Sequence, residues 1–353
     1  MLILGIETSC VETSAAVVEE TGDVNRPWAI RSNVIASQIP IHREWGGVVP
    51  ELASRQHIRD ICGVVERALE DAGITWSDLG AVAVTQGPGL VGSLLVGVAF
   101  AKASAAAAGL PLVAVHHLAG HIESLILQNG ELPLPAVVLV VSGGHTSLYL
   151  VPQAGHYELL SRTRDDAAGE AYDKVAKLLG LGYPGGPAID RLAGTGNDRA
   201  VALPTTRLTH ADRNAPTLKG DLDFSFSGLK TAVLRYVRMR ETTDAHPAFA
   251  EGEIADICAS FQRVVVTALI DRLFDAARRY QAKSIGIAGG VSANSRLRAE
   301  LQEHGRLREI PTFLPSPALS TDNAAMIAAA GLRKFRAGIT APSDLNADAS
   351  LVL

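Results

Sequence analysis

Apolar residues along this chain come in short runs broken by clusters of hydroxyls, glycines and prolines, and two of the runs share a pattern. LILGIETSC…TSAAVVEE at the N-terminus reads as a strand, a polar loop and a returning strand. After the proline-punctuated ELPLP (131–135), AVVLVVSGGHTSLYLV again reads as strand, tight polar loop and strand, with SGGHT at 142–146. The repetition predicts a duplicated fold in which each half opens on a ligand-facing turn. The first turn is unlike an ordinary hairpin. In place of Asn-Gly or Asp-Gly it carries Glu7, Thr8, Ser9, Glu12, Thr13 and Ser14, with Val11 among them.

Between the hairpins, LGAVAVTQGPGLVGSLLVG predicts a strand (Ala81–Thr85), a Gly-Pro-Gly turn and a long helix, and PLVAVHHLAGHIESLIL a strand and a helix. In the second half AYDKVAKLLG is helical, YPGGPAIDRLAG opens a helix on a glycine turn, and TRLTHADRNAPTLKGDLD (206–223) reads as a loop. DLDFSFSGLKTAV (221–233) alternates like a strand, and residues 254–282 have helical periodicity. AKSIGIAGGVSANSRLRAEL is strand, Gly-Gly loop and helix; the last helix is announced by Ser320, Thr321, Asp322 and Asn323. Strands alternating with helices beside repeated hairpins imply α/β layers with mixed sheets.

Composition agrees: 353 residues, 47% hydrophobic and 20% charged, suit two domains of ordinary size. A net charge of −5 gives no global basic footprint, so a nucleic-acid partner would meet a local patch or further subunits. Three scattered cysteines without a CxxC argue against a disulfide framework or a cysteine-based zinc site, and no secretion signal opens the chain. GLVGSLLVGVAFAKASAAAAGL (89–110) approaches the length of a membrane span, but Lys102 and its many small residues favour a helix buried between layers.

Three groups of residues suggest chemistry. In VHHLAGHIES, His117 and His121 are four apart and share a helix face, the spacing of two imidazoles on one metal. No glutamate lies between them, so the general base of an HExxH peptidase is missing. A third ligand must be His, Asp or Glu; Asp322 leads, though as part of a helix-start signal it also reads as an N-cap. His116 reads as structural. The second group is four glycine turns after strands, at 87–90, 142–145, 183–186 and 288–294, which bring backbone N–H groups toward a phosphate and imply a nucleotide cleft between the halves. Third, on DDAAGEAYDK (165–174), Glu170, Asp173 and Lys174 form either a grip on a ribose or a solvated ion-paired face. Phe224, Phe226 and Lys230 read as an RNA-stacking set or as an ordinary strand.

These motifs together resemble the tRNA N6-adenosine threonylcarbamoyltransferase family, once called O-sialoglycoprotein endopeptidases. The matching stretches run nearly end to end: GIETSC, GGVVPELASRQH (46–57), TQGPGLVGSLLVG (85–97), VHHLAGHIES (115–124), LVVSGGHTSL (139–148), 165–190, DFSFSGLKTA (223–232), GGVSAN (289–294) and STDNAAMIA (320–328). The resemblance implies a duplicated α/β fold of the actin/Hsp70/sugar-kinase (ASKHA) type. Its N-terminal lobe would span 1–130, joined by the C-terminal helix near 323–338, and its second lobe 131–322. It implies a metal, Fe2+ ahead of Zn2+, on His117, His121 and Asp322. Val140, Val141, Ser142, Gly143 and Gly144, with Asp173, Gly186, Asp190 and Asn294, would hold threonylcarbamoyl-AMP, whose acyl group passes to the adenosine 3′ to the anticodon of tRNAs reading codons that begin with A. Implied partners are tRNA, a smaller ASKHA paralogue (TsaB-like) and a P-loop ATPase (TsaE-like), in the cytoplasm.

Two positions depart from the family's pattern. Val11 stands where an aspartate follows ETSC, and Ala119 where HxEGH has glutamate. A valine neither orients an amine nor takes its proton, so Glu7 or Glu12 substitutes for the missing carboxylate or activity is reduced. Glu12 and Ser9 are the catalytic candidates in that loop. The rival activities are a metallopeptidase and a small-molecule kinase or carbamoyltransferase of the same fold.

Overall fold

The run LILGIE forms β1 (Leu2–Glu7), whose Ile3, Leu4 and Ile6 are wholly buried. It pairs antiparallel with β2 (Glu12–Glu20), which pairs in turn with β3 (Trp28–Ser37). The chain continues through α1 (Ile39–Arg43), α2 (Pro50–Ala72), β4 (Leu79–Gly87), α3 (Val91–Ala108), β5 (Leu112–His116) and α4 (His117–Asn129). β4 lies parallel to β1 and β5 parallel to β4, giving a sheet ordered β3-β2-β1-β4-β5. The computed structural model describes residues 1–208, 210, 218, 220–243, 249 and 252–353. Much of the loop expected over 206–223 lies outside those residues.

The chain then repeats itself. β6 (Ala136–Val141) pairs antiparallel with β7 (Thr146–Val151), and β7 with β8 (Glu158–Arg162). Four helices follow: α5 (Ala168–Leu178), α6 (Gly185–Ala193), α7 (Ser227–Thr243) and α8 (Glu253–Arg279). Next come β9 (Ser284–Ala288), α9 (Ser295–Leu307) and the short β10 (Thr312–Phe313), then α10 (Pro317–Ser320) and α11 (Ala324–Arg336). β9 is parallel to β6, and β10 to β9, so the second sheet, β10-β9-β6-β7-β8, has the topology of the first. Each sheet begins with its hairpin and adds parallel strands on the far side of the first strand.

The chain divides into two compact units. The first holds Met1–Pro133, Gln153–Tyr157 and Leu314–Leu353; the second holds Leu134–Pro152 and Glu158–Phe313. Residues 314–322 therefore belong with the first unit rather than with the second lobe that the resemblance implies. β10 is the last strand of the second sheet, and α11 beyond it lies on the first. A Cβ on Gly5 of β1 would stand 2.4 Å from the Ala324 carbonyl oxygen and 2.7 Å from the Ala328 nitrogen. Only glycine lets the strand and helix backbones come so close.

Two expected elements differ. α3 is the one helix among the described residues long and apolar enough to cross a membrane, yet it is not buried between layers. It buries one face, with Ser93, Leu94, Gly97, Val98, Ala101 and Ala105 at helical spacing, and leaves Val91 and Leu95 exposed. Lys102 reaches the C-terminal segment, its Nζ donating to the Leu345 carbonyl at 2.9 Å. The alternation in DLDFSFSGLKTAV forms no long strand; only Thr163 and Phe224 make a bridge before α7 begins at Ser227. Asp165 decides this. Its carboxylate accepts from the Phe226 and Ser227 amides and from the Ser225 and Ser227 hydroxyls, capping the helix start.

Gly5→Ala drives a methyl group into backbone atoms of α11. It is expected to lower stability by roughly 2 kcal/mol, as overpacked cores do, and to reduce Tm in a thermal melt.

Candidate active site

The loop between β1 and β2 is held from every side. Thr8 donates through Oγ1 to the Ser93 carbonyl at 2.9 Å, and the Ser9 carbonyl accepts from the Leu90 amide at 2.8 Å. The Val11 carbonyl accepts from the Gln38 amide at 2.9 Å, and the Val11 side chain is buried, 5% exposed. His57, buried on α2, lies between Thr13 Oγ1 (2.8 Å to Nδ1) and the Cys10 carbonyl (3.1 Å to Nε2). A carbonyl only accepts, so Nε2 carries the proton and Nδ1 accepts from Thr13. Much of the hydroxyl-rich loop thus serves to fix its own backbone. Glu12, the first residue of β2, is half-buried and accepts from Ser37 Oγ at 3.2 Å.

Below this loop three ligand-type side chains converge. His117 and His121 sit on the first turns of α4, and Asp322 just before α11. Their ligand atoms lie within 4.8 Å of one another. Asp322 Oδ1 is 3.6 Å from His117 Nε2 and 3.2 Å from His121 Nε2. Asp322 is not a helix cap: Asn323 fills that place, its side chain accepting from the Met326 amide at 3.2 Å. His116 caps α4, accepting through Nδ1 from the Leu118 amide.

The first unit also prepares the imidazoles for a cation. His117 Nδ1 donates to Glu7 Oε2 at 3.0 Å, which turns Nε2 toward Asp322 and raises its basicity as a ligand. Glu7 is wholly buried and also accepts from Thr85 Oγ1 at 2.7 Å and from the Ser9 amide. Ser9 Oγ is 3.2 Å from His117 Nδ1, and its residue is 1% exposed. Nε2 of His121 meets Asp322 Oδ1, while its buried Nδ1 has no hydrogen-bond partner among the described residues. Two imidazoles and a carboxylate are a donor set for a first-row divalent metal, so the residues fit such an ion.

The titration pattern follows the same arrangement. Burial alone would lower His117, but the charges of Asp322 and Glu7 outweigh it and hold the imidazole up, to about 9. Burial lowers His121, leaving it neutral with a lone pair to offer. Burial, then the charge of Asp322, pushes Glu12 up to about 8. The same causes raise the Cys10 thiol well above its ordinary value, so it stays protonated and is no nucleophile. Glu7, Glu12 and Asp322 thus surround the two imidazoles with carboxylates.

A second site lies within the other unit. Gly143, Asp173, Gly186, Asp190 and Asn294 line a cavity of about 290 Å³ together with Tyr172. Gly143 and Gly186 each face open space where a Cβ would stand. Asp173 accepts from the Gly185 amide at 2.7 Å, fixing the first turn of α6. Asp190 Oδ1 accepts from Gln262 Nε2, Asn294 Nδ2 and Ser295 Oγ, and Oδ2 from the Ser295 amide. Asn294 caps α9 through the Leu297 amide. Of Val140–Gly144 only Gly143 reaches the cavity; Val140 and Val141 are buried ladder residues of β6, while Ser142 and Gly144 shape the turn.

Other candidates prove structural. Lys174 pairs with Asp166 and Glu170, and Lys230 with Asp166. Phe224 and Phe226 are 1% and 2% exposed, so no base can stack on them. Sequence reasoning does not single out Thr85, His57, Tyr172 or Gln262, because each acts through a neighbour distant in the chain. For Glu7 the signal is present, but the structure assigns it to holding His117 and Ser9, not to replacing the carboxylate absent at Val11.

The sequence profile described as tRNA N6-adenosine threonylcarbamoyltransferase matches residues 29–329. A relative of that name from Anaeromyxobacter sp. (strain Fw109-5) is 53% identical over 350 residues, covering 99% of this chain and 98% of its own. One from Moorella thermoacetica is 50% identical over 351 residues, covering 99% and 97%. Among solved structures, full-length HypF in its phosphate- and nucleotide-bound form aligns with a TM-score of 0.57 at 13% identity, over 95% of this chain and 55% of HypF. Component A of the Acidaminococcus fermentans (R)-2-hydroxyglutaryl-CoA dehydratase aligns at 0.52 and 16%, over 95% and 98%. These two likenesses show the fold alone, that of the actin/Hsp70/sugar-kinase proteins.

Burial holds His57 below the ordinary imidazole value, so the folded chain refuses a proton that the unfolded chain accepts. Its contribution is complete above about pH 6.5 and is lost as pH falls below that value. His57→Gln is expected to flatten the acid arm of stability, read as the difference between urea midpoints at pH 5 and pH 7.5. An unchanged difference would show that His57 is not the group responsible.

Proposed function

The chain belongs to the tRNA N6-adenosine threonylcarbamoyltransferase family, and from that premise we propose that it transfers the acyl group of threonylcarbamoyl-AMP to N6 of the adenosine 3′ to the anticodon, in tRNAs reading codons that begin with A. It is a tRNA-modifying transferase. In the reaction the N6–carbonyl bond forms, the carbonyl–phosphate oxygen bond breaks, an amine proton leaves and AMP is released. The observation carrying the assignment of roles is the convergence of His117, His121 and Asp322, with Glu7 behind His117.

In this reading those three residues hold one divalent ion, Fe2+ ahead of Zn2+. Such an ion supplies Lewis-acid polarisation of a carbonyl or phosphate oxygen. Glu7 keeps Nε2 of His117 turned to its task, and Ser9 acts through His117 rather than on substrate, since it is closed in. Glu12 takes the amine proton: it is the half-buried carboxylate of the loop, and its elevated pKa supports a base working near neutrality. A cation on the triad would offset the share of that elevation due to Asp322. The cavity bounded by Gly143, Gly186 and Asn294 takes the adenylate. Asp190 Oδ2, with one donor among the described residues, suits a ribose hydroxyl.

A net charge of −5 supports reliance on further subunits for tRNA, and we include the TsaB-like paralogue and the TsaE-like P-loop ATPase in the proposal. Three free cysteines support action in the reducing cytoplasm.

Mass spectrometry of tRNA nucleosides tests the assignment, with threonine, bicarbonate, ATP, the adenylate-forming enzyme and both partners supplied. Modified adenosine is expected, with loss in His121→Ala and a fall of roughly 100-fold or more in Glu12→Gln. Val11→Asp is expected to bring no gain; a large gain would move the base to position 11. Wild type yielding no modified adenosine under these conditions would overturn the proposal. Separately, Gly186→Val fills the cavity and is expected to weaken AMP binding roughly tenfold or more by calorimetry, with metal content unchanged.

A further inference from the structure

The two helices that carry the triad are joined a second time, by a buried polar network within the first unit. Glu123, two residues beyond His121 on α4, is 1% exposed. Its Oε1 accepts from Arg333 Nε of α11 at 2.6 Å and from the Tyr157 hydroxyl at 3.0 Å. Its Oε2 accepts from Trp28 Nε1, at the start of β3, at 3.3 Å. Arg333 continues to Glu131 at 2.8 Å, and its guanidinium lies 5.4 Å from the centre of the Trp28 ring. Between the two triad histidines, α4 touches α11 at Gly120, where a Cβ would meet Ile327 Cδ1 at 2.8 Å.

A buried ion pair is a poor device for stability alone. Apolar residues of similar volume are often as good or better, because both charges must be stripped of water. Direction is what this pair supplies. Three donors from three segments fix the Glu123 carboxylate, and Arg333 fixes the far end of a helix whose near end follows Asp322. From Ala324 to Arg333 that helix is a rod about 14 Å long. A slide of α11 along α4, or a turn of α4 about its axis, would separate Asp322 from the histidines. Metal sites tolerate only about 0.2 Å in their ligand distances.

We propose that Glu123 and Arg333 are positioning residues for the metal triad, locking the register of α4 against α11 so that His117, His121 and Asp322 meet on one cation. The proposal rests on the reading of the triad as a metal site. Ala119, where the family's pattern has glutamate, leaves Glu123 as the one carboxylate on α4, so the helix has no other acidic anchor.

The test uses the full chain with Glu123→Leu and Arg333→Met combined, and with Glu123→Gln alone. Zn2+ affinity is measured by competition with a chromophoric chelator, the visible spectrum of the Co2+ form reports ligand geometry, and Tm is taken with chelator present. The apolar pair is expected to keep Tm within a few degrees of wild type, to weaken Zn2+ binding between 10- and 100-fold, and to alter the Co2+ bands. Glu131→Gln, on the more exposed arm of the network, is expected to leave all three unchanged. Should the apolar pair fail to fold, Glu123→Gln decides by the same affinity and spectrum, since its one carbonyl oxygen still accepts from Arg333 and Tyr157 while the charge and the bond from Trp28 are lost. Wild-type affinity and an unaltered Co2+ spectrum in the folded variant would overturn the inference and leave the triad standing as a metal site. Failure of wild type itself to bind Zn2+ more tightly than His121→Ala would overturn both.

Discussion

α11 rests on β1 with backbone touching backbone, because position 5 has no Cβ, and its first amide is held by Ser14 Oγ of β2 at 2.9 Å. Everything proposed for the first unit depends on this seating. The chain leaves the first sheet after α4, builds the whole of the second, and returns to lay its last helix against its first strand. Only that return brings Asp322 to His117 and His121. A helix displaced by the width of one methyl group would still bury its alanines, Ile327 and Leu332, but it would no longer complete the triad.

The charges at the site follow from the same closeness. Glu7, Glu12 and Asp322 all act on His117, and burial strengthens each interaction by removing the water that would screen it. The two histidines of one helix face are driven in opposite directions. His117, with Glu7 at Nδ1, is held up, while His121 is held down by burial. Such a site has a carboxylate–imidazole pair to orient one ligand and a neutral imidazole ready as another. That pairing is the ordinary way proteins set the direction of a metal-binding histidine.

The second unit turns the same sheet topology to a different end. Where the first hairpin turns on hydroxyls and carboxylates and is packed shut by α2 and α3, the second turns on two glycines whose Cβ positions face open space. Asp190 and Asn294 are fixed by each other, by Gln262 and by the start of α9, so they keep their positions without a ligand to order them. Duplication of the backbone thus yields two sites of unlike chemistry, one acidic and closely packed, one glycine-lined and open.

Local pattern alone carried a good deal. Alternation and apolar runs mark both hairpins, since burial of a sheet's faces is written in neighbouring residues; helical spacing shows His117 and His121 sharing a face, since that depends only on the rise of one helix. Glycine turns after strands mark the second site for the same reason. What needed the tertiary structure were relations between residues far apart in sequence. Asp322 could be a cap or a ligand until Asn323 was found in the cap, and Glu7 could be a base until Thr85, Ser9 and His117 were found around it. The strand-like alternation of Phe224 and Phe226 lost to a carboxylate from Asp165, sixty residues upstream in the chain, which supplied the hydrogen bonds a helix start needs. Periodicity records which face of an element is buried. It does not record against what, and the chemistry of a buried carboxylate or imidazole is decided by its partner.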